Sequence, residues 1–333
     1  MNSSNNLVRS KVKHMKKIII DTDPGIDDVI AILLALSAKD EVDVVGITTV
    51  NGNVGIEPVT RNACKLLEMF GRPDIPVCKG AAKPLVREVK SGDDYHGGDG
   101  LGGINLDPPV KQPEEEVASD FLVRKARELK GELVLVPIGP LTNIAEAIQK
   151  DPEFVENVKE VVLMGGAEWG GNVHPSAEFN FWEDPEAAKL VMSAGFKKVT
   201  MVGLDGTRCI ILSPALRELL YLINTPVSRF IHDVTRFYAD GHWKIAKQIG
   251  CELCDVLAVA YLLDSTVAEV VDAYVDVETQ GLCQGESVVY RTMFFPDKKK
   301  NCEVVASADL KKFVEIFFGR MFPEYKDIAM KYV

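Results

Sequence analysis

Ile19–Ile30 reads IIDTDPGIDDVI and joins a strand to a helix through a knot of acids. Lys17–Asp21 (KIIID) has the β-branched, apolar character of a strand buried on both faces. Ile26–Ala38 (IDDVIAILLALSA) is apolar nearly all round, which predicts a helix enclosed by other elements. In the linking turn, Asp23 can cap that helix and Pro24 can fill its first position. A buried strand feeding a buried helix is the start of a parallel α/β unit.

The pattern repeats outward from this stretch. Val42–Thr49 (VDVVGITT), Glu132–Pro137 (ELVLVP), Val158–Met164 and Val199–Leu204 (VTMVGL) read as strands. Pro58–Phe70, Ser119–Leu129, Leu141–Gln149 and Pro185–Ala194 read as the helices between them. The alternation predicts an α/β fold: an open, mostly parallel twisted sheet with helices on both faces. Residues 205–250 are helical by pattern and predict a small cap over the sheet, and the tail 308–331 predicts a closing helix. Gly92–Gly103 (GDDYHGGDGLGG) is too glycine-rich for either regular element and reads as a mobile loop. Residues 1–15 are polar and basic and read as a disordered lead-in, which leaves 16–333 as a single domain.

Composition narrows the function. The chain has 333 residues, and 38 Lys and Arg against 49 Asp and Glu give a formal charge of −11. That balance excludes a nucleic-acid partner, which needs a basic footprint to neutralise phosphates. No apolar run approaches the roughly 20 residues of a membrane span. The N-terminal stretch lacks the apolar core of a secretory signal. Seven cysteines, an odd number spread along the chain, read as reduced thiols and a cytoplasmic location.

Several strands end in polar turns: DTDPG, TVNGN, PIGPLTN, MGGA and GLDGT. In open α/β sheets the ligand crevice lies beyond the carboxyl ends of the strands, so these turns converge on one place. The first of them is the most acidic. Asp21, Asp23, Asp27 and Asp28 put four carboxylates within eight residues, and strand alternation sets Asp21 and Asp23 on one side. Helix capping accounts for Asp23 and one more acid. Four acids beside apolar elements repel one another unless a cation is present, and hard cations such as Ca²⁺ and Mg²⁺ take oxygen ligands of this kind. The register is neither that of an EF-hand nor that of a P-loop. An aspartate-nucleophile phosphatase remains a rival for this segment.

The stretch IIDTDPGIDDVI resembles the N-terminal signature of the nucleoside hydrolases, the inosine–uridine-preferring N-ribohydrolase family. Further motifs follow in that family's order: Ile47–Asn53 (ITTVNGN), Val136–Ala145 (VPIGPLTNIA), Glu160–Gly166 (EVVLMGG), Ala177–Asn180 (AEFN), Asp184–Ala188 (DPEAA) and Thr200–Asp205 (TMVGLD). The resemblance covers the chain from about Lys16 onward. It implies an open α/β fold, a Ca²⁺ ion at the floor of a pocket, and hydrolysis of an N-glycosidic bond to give ribose and a free purine or pyrimidine base. By position it makes Asp23, Asp28 and Asp255 carboxylate ligands of the calcium and Ile138 a backbone-carbonyl ligand. Asp23 also matches the general base for a calcium-bound water. Asp27 matches a residue that binds ribose hydroxyls, and Asn53, Met164, Asn172, Glu178 and Asn180 match the other ribose-side positions. His96 matches a histidine near the 5′ side of the substrate, with Tyr95 beside it. The segment with Tyr238, His242 and Trp243 is the one that approaches the nucleobase in related enzymes. A homodimer or homotetramer is also implied.

The chemistry of these residue types agrees with those roles. Carboxylates stabilise an oxocarbenium-like sugar, and a metal lowers the pKa of a water whose proton an adjacent carboxylate accepts. Asp27 and Asn180 suit the vicinal hydroxyls of a ribose. Phe179 and Met164 offer apolar surface to the ring, and core packing is an equally good reading of Phe179. Cys254 stands where many members of the family carry a histidine that is a candidate leaving-group acid, and a subset carries cysteine there. A thiol is a poorer donor than an imidazolium, so His242 becomes the substitute acid, set against a plain surface histidine. Cys251-Glu252-Leu253-Cys254 is also a C-x-x-C, but a zinc site needs further ligands that the sequence does not supply. Trp169 reads as an entrance residue and Trp182 as packing.

Three other readings compete with the hydrolase. A Mg²⁺ phosphatase has no use for the later motifs. A nucleoside phosphorylase needs a basic phosphate cradle, and the acids here repel phosphate. A catalytically weak or silent ribose-binding paralogue is favoured by Cys254 and opposed by the intact set Asp23, Asp27, Asp28, Asn180 and Asp255.

Overall fold

The structure is a computed structural model, and it describes residues 15–88, 93–104 and 106–333. Apart from Met15, the expected lead-in lies outside the described residues. The strands are β1 (Lys16–Thr22), β2 (Val42–Thr49), β3 (Val77–Lys79), β4 (Leu133–Pro137), β5 (Val158–Met164), β6 (Val199–Val202), β7 (Ile211–Leu212), β8 (Cys251–Glu252), β9 (Ala268–Val277), β10 (Ser287–Arg291) and β11 (Cys302–Ala308).

Nine of them form one sheet in the order β10-β9-β11-β6-β5-β4-β1-β2-β3. From β11 to β3 every neighbouring pair is parallel. Only β9 runs against its neighbours, pairing antiparallel with both β10 and β11. The expected open, mostly parallel sheet is therefore present, with an antiparallel edge added.

Helices cover both faces. Helix Ile26–Ser37 packs with Cys254–Leu263 and Leu310–Met321 over one apolar core. Helices Ala118–Leu129, Thr142–Lys150 and Pro185–Ser193 cover the other. Every residue from Ile26 to Ala35 is buried, as its all-round apolar pattern requires. Helices Pro214–Ile223 and Pro226–Ala246 form the cap.

Three local expectations change. The first helix is entered through Gly25, whose N–H donates to the Asp28 carboxylate at 3.0 Å, so Asp23 and Pro24 lie ahead of it and Asp23 does not cap it. The strand expected over 199–204 stops at Val202, because Gly203 leads into the short helix Leu204–Thr207. The closing helix ends at Met321, where Phe322 and Pro323 turn the chain into short helical turns. Of the glycine-rich loop, Asp93–His96 forms one short helix and the following residues form turns.

The fold places its crevice by topology. From β1 the chain first builds outward through β2 and β3, then returns to place β4 on the other side of β1. The carboxyl ends of β1 and β4 therefore flank a switch point, where open α/β sheets bind ligands. Asp23 follows β1 and Ile138 follows β4, and the Ile138 N–H donates to the Asp21 carbonyl at 2.7 Å.

Candidate active site

A cavity of about 740 Å³ opens above this switch point. Asp27, Ile138, Met164, Asn180 and Asp255 contribute to one part of its lining, and Tyr238, His242, Glu252 and Cys254 to another. Residues 185 or more apart in the chain, Asn53 with Tyr238 and Cys254, thus share one chamber.

The acids lie deepest. Asp23, Asp27, Asp28 and Asp255 are all buried. Asp28 is the best satisfied: its carboxylate accepts from the Thr22 hydroxyl at 2.6 Å, the Gly25 N–H at 3.0 Å and the Asn53 amide at 3.0 Å. Asp23 Oδ2 accepts from the Asn53 N–H at 2.7 Å, whereas its Oδ1 is buried with no hydrogen-bond partner. Asp27 accepts from the Tyr238 hydroxyl and, at 3.4 Å, from the Asp255 N–H. Oxygens of Asp27, Asp28 and Asp255 lie within 4.8 Å of one another.

Burial pushes all four carboxyls up, and at Asp23, Asp27 and Asp255 the charge of neighbouring carboxylates adds to it. Burial dominates at Asp23, followed by the charge of Asp28. The same two causes lift Asp27 to about 7. Burial also raises Asp28, and at Asp255 it is joined by Asp27, Asp28 and Asp23. Among the described residues no lysine or arginine pairs with any of the four. Such a set costs stability unless a cation or protons neutralise it.

The residues present fit a hard divalent cation. The donor set is all oxygen, one buried carboxylate oxygen has no partner, and glycine backbone leaves room around it. A Cβ on Gly52 would sit 2.1 Å from Asp23 Oδ2, and one on Gly139 would sit 2.5 Å from Asp23 Oδ1. Asp21, expected on the same side as Asp23, is instead engaged by the Thr48 hydroxyl at 2.5 Å and the Asn143 amide at 2.7 Å. Its role is to tie β1 to β2 and to helix Thr142–Lys150.

The residues expected on the sugar side are arranged by their neighbours. Asn180 Nδ2 donates to the Ile138 carbonyl at 3.0 Å and to the Met164 carbonyl at 3.2 Å, which leaves its Oδ1 for a ligand. Asn53 likewise spends Nδ2 on Asp28 and on the Asp23 carbonyl. Glu178 caps helix Phe179–Glu183, accepting from the N–H groups of Asn180 and Phe181, and also from Gly166. Burial lifts its carboxyl to about 7. Asn172 accepts from the Phe179 N–H at 3.0 Å, so its amide nitrogen is the end left over. Phe179 lines the cavity, and Trp182, expected to be packing, lines it too. Trp169 stays 69% exposed and outside that lining.

Both cavity histidines are neutral. His96 Nδ1 accepts from the Ile26 N–H at 2.9 Å, which puts its proton on Nε2. Burial, and then the nearby His242, lower its pKa to about 3. His242 is neither exposed nor a ready acid. Its Nδ1 donates to the Tyr238 carbonyl at 2.9 Å, its Nε2 accepts from the Glu252 N–H at 3.4 Å, and burial lowers its pKa. The substitute-acid reading of His242 is thereby corrected: backbone groups occupy both ring nitrogens. Tyr238 packs edge-on against His242 at 4.5 Å between ring centroids. Burial, with Glu252 and Asp27 nearby, raises the Cys254 thiol well above its usual range.

Sequence reasoning missed Arg208, Gln248 and Glu252 as lining residues. Arg208 braces the loop above, donating to the carbonyls of Trp169, Gly170 and Gly171. Only Glu252 carried a signal, as the acid inside the C-x-x-C.

Comparison with known proteins agrees with this geometry. The family model described as inosine-uridine preferring nucleoside hydrolase matches residues 18–315. The chain is 41% identical to "Uridine nucleosidase 1" of Arabidopsis thaliana over 281 residues, which cover 83% of this chain and 82% of that protein. It is 37% identical over 308 residues to "Pyrimidine-specific ribonucleoside hydrolase RihA" of Salmonella agona, covering 91% of this chain and 97% of that one. The solved "Purine-Preferring Ribonucleoside Hydrolase from Gardnerella vaginalis" superposes with a TM-score of 0.87 at 32% identity, covering 95% of this chain and all of that one. An acid floor at a β1/β4 switch point and a family match over most of the sequence lead to one assignment: the chain belongs to the inosine-uridine preferring nucleoside hydrolase family and is an N-glycosyl hydrolase of ribonucleosides.

Proposed function

We propose that this enzyme is a Ca²⁺-dependent hydrolase that cleaves uridine in preference to inosine. The observations that carry the metal dependence are the buried, unpartnered Asp23 Oδ1 and the three further buried carboxylates of Asp27, Asp28 and Asp255, whose oxygens lie within 4.8 Å of one another. Asp23, Asp28, Asp255 and the Ile138 carbonyl would hold the ion. When bound, it lowers the pKa of a coordinated water and offsets the repulsion among the acids.

The protein's own groups do the rest. Asp27, Asn53 and Asn180 accept from the ribose hydroxyls and fix the sugar, while Asn172 and the His96 Nε2–H donate to it. Met164 and Phe179 exclude water from the ring. Asp23 takes the proton of the attacking water. As the glycosidic bond lengthens, positive charge gathers on the sugar, and Asp27 and Glu178 stabilise it. The bonding pair leaves with the base.

The preference for uridine is supported by the two relatives named for uridine and pyrimidine substrates, which at 41% and 37% identity stand nearer in sequence than the purine-preferring structure at 32%, and by the neutral state of both histidines. A cytoplasmic location and a homodimer or homotetramer belong to the same reading, supported by seven unpaired cysteines and by the family likeness. Reducing-sugar release from uridine and inosine, in phosphate-free buffer with and without a calcium chelator, tests it. Release that needs calcium and no phosphate, and that is faster from uridine, is the expected result. Undiminished release after thorough chelation refutes the metal dependence. No release from any common nucleoside with calcium restored would favour a silent ribose binder, with Cys254 as its cause.

A further inference from the structure

We infer that Glu252 recognises the nucleobase by accepting a hydrogen bond from a ring N–H, so that bases with a lactam or imide N–H are the favoured class. The inference rests on the ribonucleoside-hydrolase reading of the cavity.

Glu252 ends β8, whose pairing with β7 sets Glu252 opposite Ile211. Its N–H donates to His242 Nε2, so its backbone is held from two directions. The residue is half-buried and lines the cavity beside Cys254, Tyr238 and His242, whose ring nitrogens are both taken by backbone groups. Among the described residues its carboxylate accepts a hydrogen bond only from the Cys254 thiol, 3.9 Å from Oε2, and a thiol is a weak donor. Among the described residues Glu252 makes no ion pair. Arg208, which lines the same cavity, spends its guanidinium on three backbone carbonyls. A carboxylate that lines a cavity and has no cation paired with it is completed by a ligand that donates.

The ribose hydroxyls are matched to the acids and amides of the floor, which leaves the base for the wall that carries Glu252. An ionised carboxylate accepts and cannot donate. Uracil, hypoxanthine and guanine offer a ring N–H on the edge away from the glycosidic nitrogen. Cytosine and adenine offer a lone pair at the corresponding ring nitrogen, which a carboxylate repels.

The contact acts on binding rather than on bond breaking. The departing base gains negative charge, and a carboxylate against its edge does not stabilise that charge. Removing it should therefore raise KM and leave kcat nearly unchanged.

Steady-state kinetics with uridine and 3-methyluridine, which lacks the ring N–H, test this on wild type, Glu252→Ala and Glu252→Gln. Hydrogen bonds to charged groups predict a 10- to 100-fold rise in KM for uridine in Glu252→Ala, roughly, with kcat within about threefold. KM for 3-methyluridine should stay level or fall. Glu252→Gln retains an acceptor oxygen and should lose less, and it carries the test if the alanine variant does not fold. An unchanged uridine KM in both variants overturns the inference, as does an equal loss on both substrates. Failure of the wild type to hydrolyse any nucleoside sinks the hydrolase reading itself, and this inference with it.

Discussion

Gly139→Ala is the sharpest probe of the acid floor, because it adds one carbon beside one oxygen. The Cβ would lie 2.5 Å from Asp23 Oδ1 and 3.0 Å from Val50 Cγ1. Ordinary contact begins at 3.4 Å, so the carboxylate must retreat by about 0.9 Å. It has little room to do so. Its other oxygen is held by the Asn53 N–H at 2.7 Å, and the Gly52 backbone closes that side. The backbone itself tolerates alanine, since Gly139 is not among the glycines with positive φ. A displacement near 1 Å in a reacting group costs roughly 100-fold in rate, whereas overpacking by one methyl costs about 1–3 kcal/mol of stability. The expected result is a folded protein with kcat/KM for uridine reduced about 100-fold. Gly55→Ala is the control: its Cβ meets only Pro58 Cδ at 3.9 Å, so activity should not change. Melting temperature and circular dichroism establish folding. A folded Gly139→Ala enzyme within about twofold of wild-type kcat/KM would falsify the claim that turnover depends on the position of Asp23.

Asp23→Asn removes the proton acceptor and weakens the cation site, and turnover should fall by about 10²- to 10⁴-fold; near wild-type turnover sinks the assignment. Chelation should lower the melting temperature by about 4 °C if the ion is held at roughly 100 times its Kd, a stabilisation of about 2.7 kcal/mol. Differential scanning calorimetry reads this without reference to activity, and an unmoved transition argues against a bound ion. Glu178 gives a pH dependence of definite sign. Its carboxyl rises from 4.5 to about 7 on folding, so the folded state holds the proton more tightly. Stability from this group is full below about 4.5, declines as pH rises toward 7 and is level above that, a span of about 3 kcal/mol. Glu178→Gln should flatten that decline in urea titrations at a series of pH values, and a slope equal to wild type refutes the cause. Cys254→Ser should cost less than about tenfold in kcat/KM, and a loss matching Asp23→Asn would make the thiol catalytic.

The parallel part of the sheet was legible because its strands are buried on both faces and read as unbroken apolar runs. The antiparallel edge was not. β9 (AEVVDAYVDV) mixes charged and apolar residues on a half-exposed surface, and β10 and β11 are as weakly marked. The acid floor was legible because Asp23, Asp27 and Asp28 share one turn, and likeness to a family supplied Asp255 at a distance of more than two hundred residues. What pattern does not encode is which neighbour takes each polar atom. His242 reads as a helix residue with a free imidazole, but the path of the chain from Ala246 to Cys251 brings the Glu252 N–H onto its ring. Glu252 and Arg208 escaped for the same reason, since their place in the cavity follows from loop paths and not from periodicity.

The neutral histidines bear on which base the enzyme releases. A purine leaves readily once a proton reaches its five-membered ring, and that requires an acid close to neutrality. Neither imidazole here serves, because backbone groups occupy both nitrogens of His242 and burial holds His96 to about 3. The Cys254 thiol, raised by burial and by Glu252, holds its proton more tightly still. Uracil needs no such acid, since the departing charge spreads over two carbonyl groups. On the proposed mechanism the catalytic load therefore falls on the sugar, where buried carboxylates would stabilise the positive charge that develops. Replacing histidine by cysteine at 254 then does not mark decay. It is the composition expected of a site that drives cleavage from the ribose side and takes bases able to leave as anions.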